Sequence, residues 1–280
     1  MKGYIETLNE KKKSGRSPLR DIQSESDHRN LEIQKVGVKG LRYPIVVQDR
    51  VNGTQHTVAE IQMAVHLPHN FRGTHMSRFL EILNRHRGNI ASDNLTEILA
   101  EMRKKLDAEV AHMELEFPYF IEKLAPVTKA AGLQEYMCTF DGSLGANEED
   151  SNFTLHVRVP VTTLCPCSKE ISSYGAHNQR SYVLLSVRFE GFVWIEDLVE
   201  VAEESASCTL YPLLKRKDEK YVTEYAFNNP RFVEDVVREC AIRLEEMQDV
   251  YWYRVEAENY ESIHNHNAYA LIEKNENDDK

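Results

Sequence analysis

Side chains that alternate between apolar and polar at every second residue, in several separate stretches, constrain this chain more than any other feature. Thr57, Ala59, Ile61, Met63, Val65 and Leu67 alternate with more polar neighbours, as in a strand with one face in a core. Phe153, Leu155, Val157, Val159 and Val161 repeat the pattern. So do Val183, Leu185, Val187 and Phe189, a run closed by Glu190-Gly191, and later Tyr251, Tyr253, Val255 and Ala257. Between these runs the period lengthens to that of a helix. Met76 to Arg85 reads as a short helix. Asn94, a good N-cap, opens a longer one with the stripe Leu95, Ile98, Leu99, Met102, Leu106, Val110 and Met113, which lies on one helical face. In the second half Trp194 to Ala206 reads as a helix. Asn229-Pro230 predicts a cap with proline in the first helical position, leading into Phe232, Val233, Val236, Val237, Cys240, Ala241 and Leu244.

The order strands, helices, strands thus occurs twice. Segregated runs of this kind predict an α+β fold with helices on one face of an antiparallel sheet. The division is expected near Ala125-Pro126, giving a first module over residues 36–125 and a second over 126–274. Residues 1–35 and 275–280 are polar, too poor in apolar groups to offset the entropy of ordering, and read as tails.

Charge narrows the partners. Lys and Arg total 34 against 45 Asp and Glu, a formal charge of −11, and a negative field of this size repels nucleic acid and anionic membrane. An anionic small substrate needs a local concentration of basic groups. No apolar run of signal-peptide type follows Met1 and no stretch approaches the roughly 18 apolar residues of a spanning helix. The expectation is a cytoplasmic protein with no membrane and no nucleic-acid partner. Five cysteines, an odd number in a chain of 280, argue against a disulfide framework, and in a reducing compartment Cys with His points to metal or catalysis.

The densest chemistry is Leu164-Cys165-Pro166-Cys167-Ser168-Lys169-Glu170 followed by Tyr174-Gly175-Ala176-His177-Asn178-Gln179-Arg180. Two thiols flank a proline just after a strand, with a histidine 12 residues beyond the first thiol. Lys, Glu, Ser and His nearby make poor core material, so Cys165 and Cys167 read as functional, whereas Cys138, Cys208 and Cys240 read as small buried hydrophobes. The pattern lacks the paired Cys-x-x-Cys of a closed structural zinc site. Asn259 to Asn267 holds Glu261, His264 and His266. In an extended segment the two histidines face one way and Ile263 the other, and a carboxylate near a histidine suits proton transfer. The run Arg216 to Tyr221 reads as a solvated loop. Glu234 reads as an exposed first-turn acid favoured by the helix dipole. Neither a Gly-rich phosphate loop nor a serine nucleophile elbow is present, so hydrolysis would depend on a metal or on acid/base groups.

Together, His75 to Phe79, Leu164 to Ser181, Asp218 to Glu224, Asn229 to Arg238 and Asn259 to His266 resemble the type IB GTP cyclohydrolases, the zinc-independent GTP cyclohydrolase I family, over roughly residues 30–272. The resemblance implies a bimodular tunnelling fold, two ββααββ-like modules per chain, in a homo-oligomer, commonly a tetramer, with active sites between subunits. It implies Cys165, His177 and Glu219 as metal ligands, with His264 near the metal or ligating it. His264 and Glu261 would move protons, with Cys165 part of the catalytic set, and Glu234 would recognise guanine through its N1–H and 2-amino donors. By charge and position, Lys169, Arg180, His75 and Arg78 are candidates for the triphosphate. A carboxylate among the ligands relaxes the preference for zinc and admits manganese, iron or magnesium. The implied reaction converts GTP and water to 7,8-dihydroneopterin triphosphate and formate, opening folate or pterin synthesis.

Three alternatives stand beside this: an archaeal-type cyclohydrolase giving a cyclic phosphate, a tunnelling-fold nitrile reductase, and a metal-storing or metal-sensing protein without turnover. The Cys165, His177 and Glu219 set weighs against the reductase, which needs a nucleophilic cysteine and NADPH and no metal.

Overall fold

The alternating runs pair into one antiparallel sheet. The computed structural model describes residues 21, 23, 25–87, 90, 94–147 and 151–274. Among them the chain runs β1 (Ile33–Asp49), β2 (Gly53–Leu67), α1 (Met76–Arg85), α2 (Leu95–Leu106), β3 (Ala111–Leu124), β4 (Ala131–Leu144), β5 (Asn152–Leu164), α3 (Pro166–Ile171), β6 (Asn178–Phe189), α4 (Ile195–Ser205), β7 (Cys208–Thr209), α5 (Arg216–Asn228), α6 (Val233–Glu245), β8 (Val250–Asn259) and β9 (Ala268–Glu273). The strand order is β1-β2-β3-β4-β5-β6-β8-β9, with β7 against β5. Each half is a hairpin, then helices, then a hairpin, as the repeated pattern predicts. No helix among the described residues is long and apolar enough to cross a membrane.

The apolar phase of each strand faces the helices. Val157, Val159 and Val161 of β5, Val183, Leu185 and Val187 of β6 and Val255 and Ala257 of β8 are all buried, and each fully buried Val or Leu contributes roughly 1.5–3 kcal/mol. The alternate residues form the opposite, polar face, where Arg158, Arg180, Glu114 and Glu116 are exposed. Against the apolar face lie the stripes of α2 (Leu95, Ile98, Leu99, Met102) and α6 (Val233, Val236, Val237, Cys240, Leu244). Gly142 of β4 permits the close approach of α2, because a Cβ there would stand 2.7 Å from Leu95 Cδ2.

Several boundaries differ from the sequence reading. Ala125-Pro126 lies in the turn of the β3–β4 hairpin, whose ladder runs from Ala111↔Leu144 to Leu124↔Ala131. The repeat of element order puts the seam between β4 and β5 instead, and an Ala-Pro pair marks a turn as readily as a boundary. The sheet continues across that seam from Met137↔Arg158 to Ser143↔Asn152. β1 starts at Ile33, inside the expected tail, and Ser26 bridges Phe71. Residues 1–20, 22, 24 and 275–280 of the two tails lie outside the described residues. The helix opened by Asn94 ends at Leu106, because Asp107 turns left-handed at φ 50°. Val110 and Met113 only mimic its spacing, and Met113 belongs to the alternation of β3 with Leu115, Phe117 and Tyr119.

Asn229 closes α5 rather than opening α6. Its Nδ2 donates to the carbonyls of Ala206 at 3.0 Å and Ser207 at 3.2 Å. The next helix begins after Phe232, which is itself exposed. The charged run from Arg216 is the first turn of α5 and not a loop. Its Asp218 is fully buried and accepts from Val127 N, Thr128 N, Thr128 Oγ1 and Lys215 N, locking α5 to the β3–β4 turn. Burial alone would push this carboxyl up, but the hydrogen bonds from Thr128, Lys215 and Val127 hold it well below the usual carboxylate range.

Candidate active site

The root of the β5–β6 hairpin brings Cys165 and His177 together. The ladder ends at Leu164↔Asn178, and the next rung is Cys165 with His177, joined by Cys165 N donating to His177 O at 3.1 Å. Residues 166–176 form an excursion from this rung. Ser168 braces it: its amide donates to Cys165 Sγ at 3.4 Å, its hydroxyl donates to Cys165 O at 3.3 Å, and the hydroxyl accepts from His177 N at 3.2 Å. β8 pairs with β6 up to Ser181↔Asn259, so the chain leaving β8 passes the same end of the sheet. Glu261 lies there, with Oε2 3.8 Å from His177 Nδ1. Residues 261–266 turn rather than extend, yet His264 and His266 still face one way, their rings stacked 5.0 Å apart, while Ile263 is exposed.

The first turn of α6 closes the site. Arg231 N donates to Leu164 O at 3.0 Å and fixes the approach of this helix to the hairpin root. A cavity of about 290 Å³ results, lined by Cys165, His177, Glu234, Glu261, His264 and Arg231 among others. That volume is at the lower edge of the roughly 300–1,000 Å³ of small-ligand pockets. A thiol, imidazoles and two carboxylates lining one cleft can move protons and accept hydrogen bonds from a heterocycle.

The sequence as a whole matches known proteins. The family model described as type I GTP cyclohydrolase folE2 covers residues 19–270. The GTP cyclohydrolase FolE2 of Syntrophus aciditrophicus (strain SB) is 60% identical over 254 residues, 91% of this chain and 99% of the relative. That of Citrifermentans bemidjiense is 58% identical over 256 residues, 91% of this chain and 95% of the relative. The chain belongs to the type I GTP cyclohydrolase FolE2 family. Solved structures agree on the architecture. A uricase from Bacillus fastidious superposes with a TM-score of 0.53 at 6% identity, over 86% of this chain and 92% of that one. Urate oxidase from Bacillus sp. TB-90 gives 0.52 at 8%, over 86% and 99%. At such identities the likeness concerns the fold alone, which is the tunnelling fold.

Not every residue singled out by the family resemblance reaches this cavity. Glu219 is exposed on α5, and along the helix it stands about 12 Å from Phe227 at the other end, at 1.5 Å per residue. Lys169 anchors that other end, with Nζ donating to Phe227 O at 2.5 Å. Arg180 lies on the polar face of the sheet beside Arg158 and Tyr182, in a separate depression. His75 stands 3.3 Å from Asp21, and Arg78 Nη1 donates to Lys105 O at 3.0 Å, tying α1 to the end of α2 in the first module. Cys167 is exposed and outside the cavity lining. The other three cysteines are buried, and burial pushes the Cys240 thiol up to about 12 and the Cys208 thiol up to about 11, as expected of inert core thiols.

Two lining residues escape a motif reading. Arg231 is the sole Lys or Arg among the described lining residues, and its signal was present in Asn-Pro-Arg just before the helix stripe. Gln179, two residues after His177, presents its amide oxygen to the imidazole Nδ1 at 3.0 Å. An uncharged amide in a strand carries no sequence signal of that role.

Proposed function

We propose that this cavity is one chain's share of the GTP cyclohydrolase site, with Cys165 and His177 as metal ligands, Glu234 as the guanine acceptor and Glu261 with His264 as the proton-moving pair. The activity follows from the family. The convergence of these five side chains, drawn from segments far apart in sequence, on one cavity carries the assignment of roles.

The donor set suits a divalent ion in part. A thiolate and an imidazole on one rung are good ligands for zinc, and a carboxylate as third donor relaxes that preference and admits manganese, iron or magnesium. Among the described residues no three acidic, Cys or His groups come together as a ligand cluster within the chain. Glu219 therefore enters from a neighbouring copy in this reading, which makes the homo-oligomer, a tetramer in the simplest form, part of the site. Arg180, His75 and Arg78 likewise meet the triphosphate only if a neighbour brings them, and Lys169 is engaged at Phe227. Arg231 is the cation this chain itself offers to the phosphates. A cytoplasmic setting, with GTP at hand and thiols reduced, fits these needs.

A divalent ion held by Cys165 and His177, with Glu219 from a neighbouring copy, would supply Lewis acidity and lower the pKa of water for addition at guanine C8. The chain's own groups do the rest. The Glu234 carboxylate accepts from N1–H and the 2-amino group, orienting the base. His264 and Glu261 pass the proton lost by the attacking water to the ring nitrogen freed as the imidazole ring opens; a second water then cleaves the remaining N-formyl group, and the same pair passes its proton to the departing amine as formate leaves. Ribose rearrangement and closure then give 7,8-dihydroneopterin triphosphate.

Metal-stripped protein supplied with manganese and GTP is expected to release formate stoichiometrically with an oxidisable, fluorescent pterin. A cyclic phosphate product would move the chain to the archaeal-type reaction. Mixed oligomers of inactive Cys165→Ala and inactive Glu219→Ala subunits should regain formate release. Failure to regain it in demonstrably mixed oligomers would place both ligands in one chain and sink the shared site.

A further inference from the structure

We propose that Gln179 is a positioning residue that holds His177 in the tautomer with its proton on Nδ1, leaving Nε2 as the lone-pair nitrogen for the cavity. The proposal rests on the reading above that His177 acts as a ligand through its ring.

The geometry is a chain of side chains built into the β5–β6 ladder. Thr163 and Gln179 are a register pair on adjacent strands, and Ser181 follows two residues along the same face. Thr163 and Ser181 are fully buried and Gln179 is 7% exposed. The Gln179 Nε2 donates to Thr163 Oγ1 at 2.9 Å, and the Thr163 and Ser181 hydroxyls share a hydrogen bond at 2.8 Å. With its amide nitrogen committed to Thr163, Gln179 presents Oε1 to His177 Nδ1 at 3.0 Å. An amide oxygen only accepts, so the imidazole must donate from Nδ1. Glu261 does not compete for that proton, because its Oε2 is 3.8 Å away, beyond hydrogen-bond reach.

A neutral imidazole has one proton. Fixing it on Nδ1 leaves the lone pair on Nε2, the form in which a histidine can ligate through that atom. Partners of this kind orient metal-binding histidines, and their loss typically lowers metal affinity about 10- to 100-fold. A buried amide two residues from a ligand on a rigid strand is well placed for it, since its rotamer is set by the ladder rather than by the loop. Turned end for end, the same amide would donate to Nδ1 and force the proton to Nε2, with Thr163 donating to the amide oxygen. The two arrangements make opposite predictions.

The test uses the full-length oligomer labelled with ¹⁵N-histidine, with a His177→Gln sample to identify the signal. In metal-free protein, long-range ¹H–¹⁵N spectra at mildly alkaline pH should show His177 protonated at Nδ1. A proton on Nε2 would overturn the proposal whether or not metal binds. Affinity for cobalt(II) alone is the second readout. Gln179→Met should lower it about 10- to 100-fold and broaden or shift the His177 tautomer signal, with circular dichroism and oligomer size unchanged. Gln179→Glu, which keeps an acceptor toward His177 and can take a hydrogen bond from Thr163, should restore most of the affinity. Unchanged affinity and tautomer in Gln179→Met, with only a lower melting temperature, would make Gln179 a packing residue. If the wild type binds no cobalt while His177 is protonated at Nδ1, the metal reading fails and the positioning claim stands on the tautomer alone.

Discussion

Glu234→Gln separates the two roles this acid can play. It lies in the first turn of α6, exposed, at the cavity wall. As a mere first-turn acid it would interact with the helix dipole, worth about 0.3–1 kcal/mol of stability. As the guanine acceptor it receives two hydrogen bonds on a charged group. Replacement by an amide weakens one and turns the other into donor facing donor, because guanine offers only donors on that edge. A hydrogen bond to a charged partner contributes roughly 1.5–3 kcal/mol, so a loss of about 2–3 kcal/mol, or roughly 30- to 150-fold, is expected in kcat/KM for GTP. Inosine triphosphate, which lacks the 2-amino group, supplies the control. Wild type should prefer GTP strongly, and Glu234→Gln should flatten that preference while the melting temperature moves little. An unchanged GTP-to-ITP ratio, with stability lowered by the dipole amount, would return Glu234 to a helix-end role.

Cys165→Ala should remove metal and formate release together, as read by elemental analysis of the purified oligomer; full metal content in that variant would break the ligand assignment. His264→Ala should lower turnover more than metal content if its task is proton transfer, and equal losses would make it a ligand. Because the folded Asp218 carboxyl lies below its unfolded value near 4, its contribution to stability is complete above about pH 4 and is lost as pH falls toward the folded value. Denaturant titrations should therefore show a shallower acid limb for Asp218→Asn than for wild type, and parallel limbs would contradict the linkage. Gly142→Val should cost about 1–3 kcal/mol by overpacking against Leu95 and Leu99, whose Cδ2 and Cδ1 atoms lie 2.7 and 3.2 Å from a Cβ at that position. Wild-type stability would mean that α2 is free to shift.

Period carried most of the fold into the sequence. Val157 to Val161 and Val183 to Val187 alternate because one face of each strand is buried, and that is visible without a structure. Boundaries were less legible where two periods coincide. Val110 and Met113 extend a helical stripe by spacing alone, and only the left-handed turn at Asp107 ends it. Asn229-Pro230 reads as a helix start, whereas the side chain of Asn229 is bound to carbonyls of residues 206 and 207, a tertiary contact no local pattern announces. Within the cavity, Cys165 and His177 are legible as reactive types in a stretch of poor core material, whereas Glu261 and His264 stand out only through the family resemblance. Charge and position alone single out Lys169 and Arg78 as phosphate contacts, but they carry no sign that within one chain both cationic groups are engaged by backbone carbonyls. Gln179 was invisible because its importance is directional and not compositional.

The rung that holds Cys165 opposite His177 works as a jig. The two residues are set by the end of a ladder and not by the chain between them, so their separation in sequence is free to drift while their separation in space is not. An insertion near Tyr174, which is fully exposed at the excursion's far side, lengthens a loop whose closure cost rises only about 0.6 kcal/mol per doubling. This end of the molecule can therefore change the length and chemistry of the excursion, and with it whatever the excursion meets, without shifting the Cys165–His177 pair at its base.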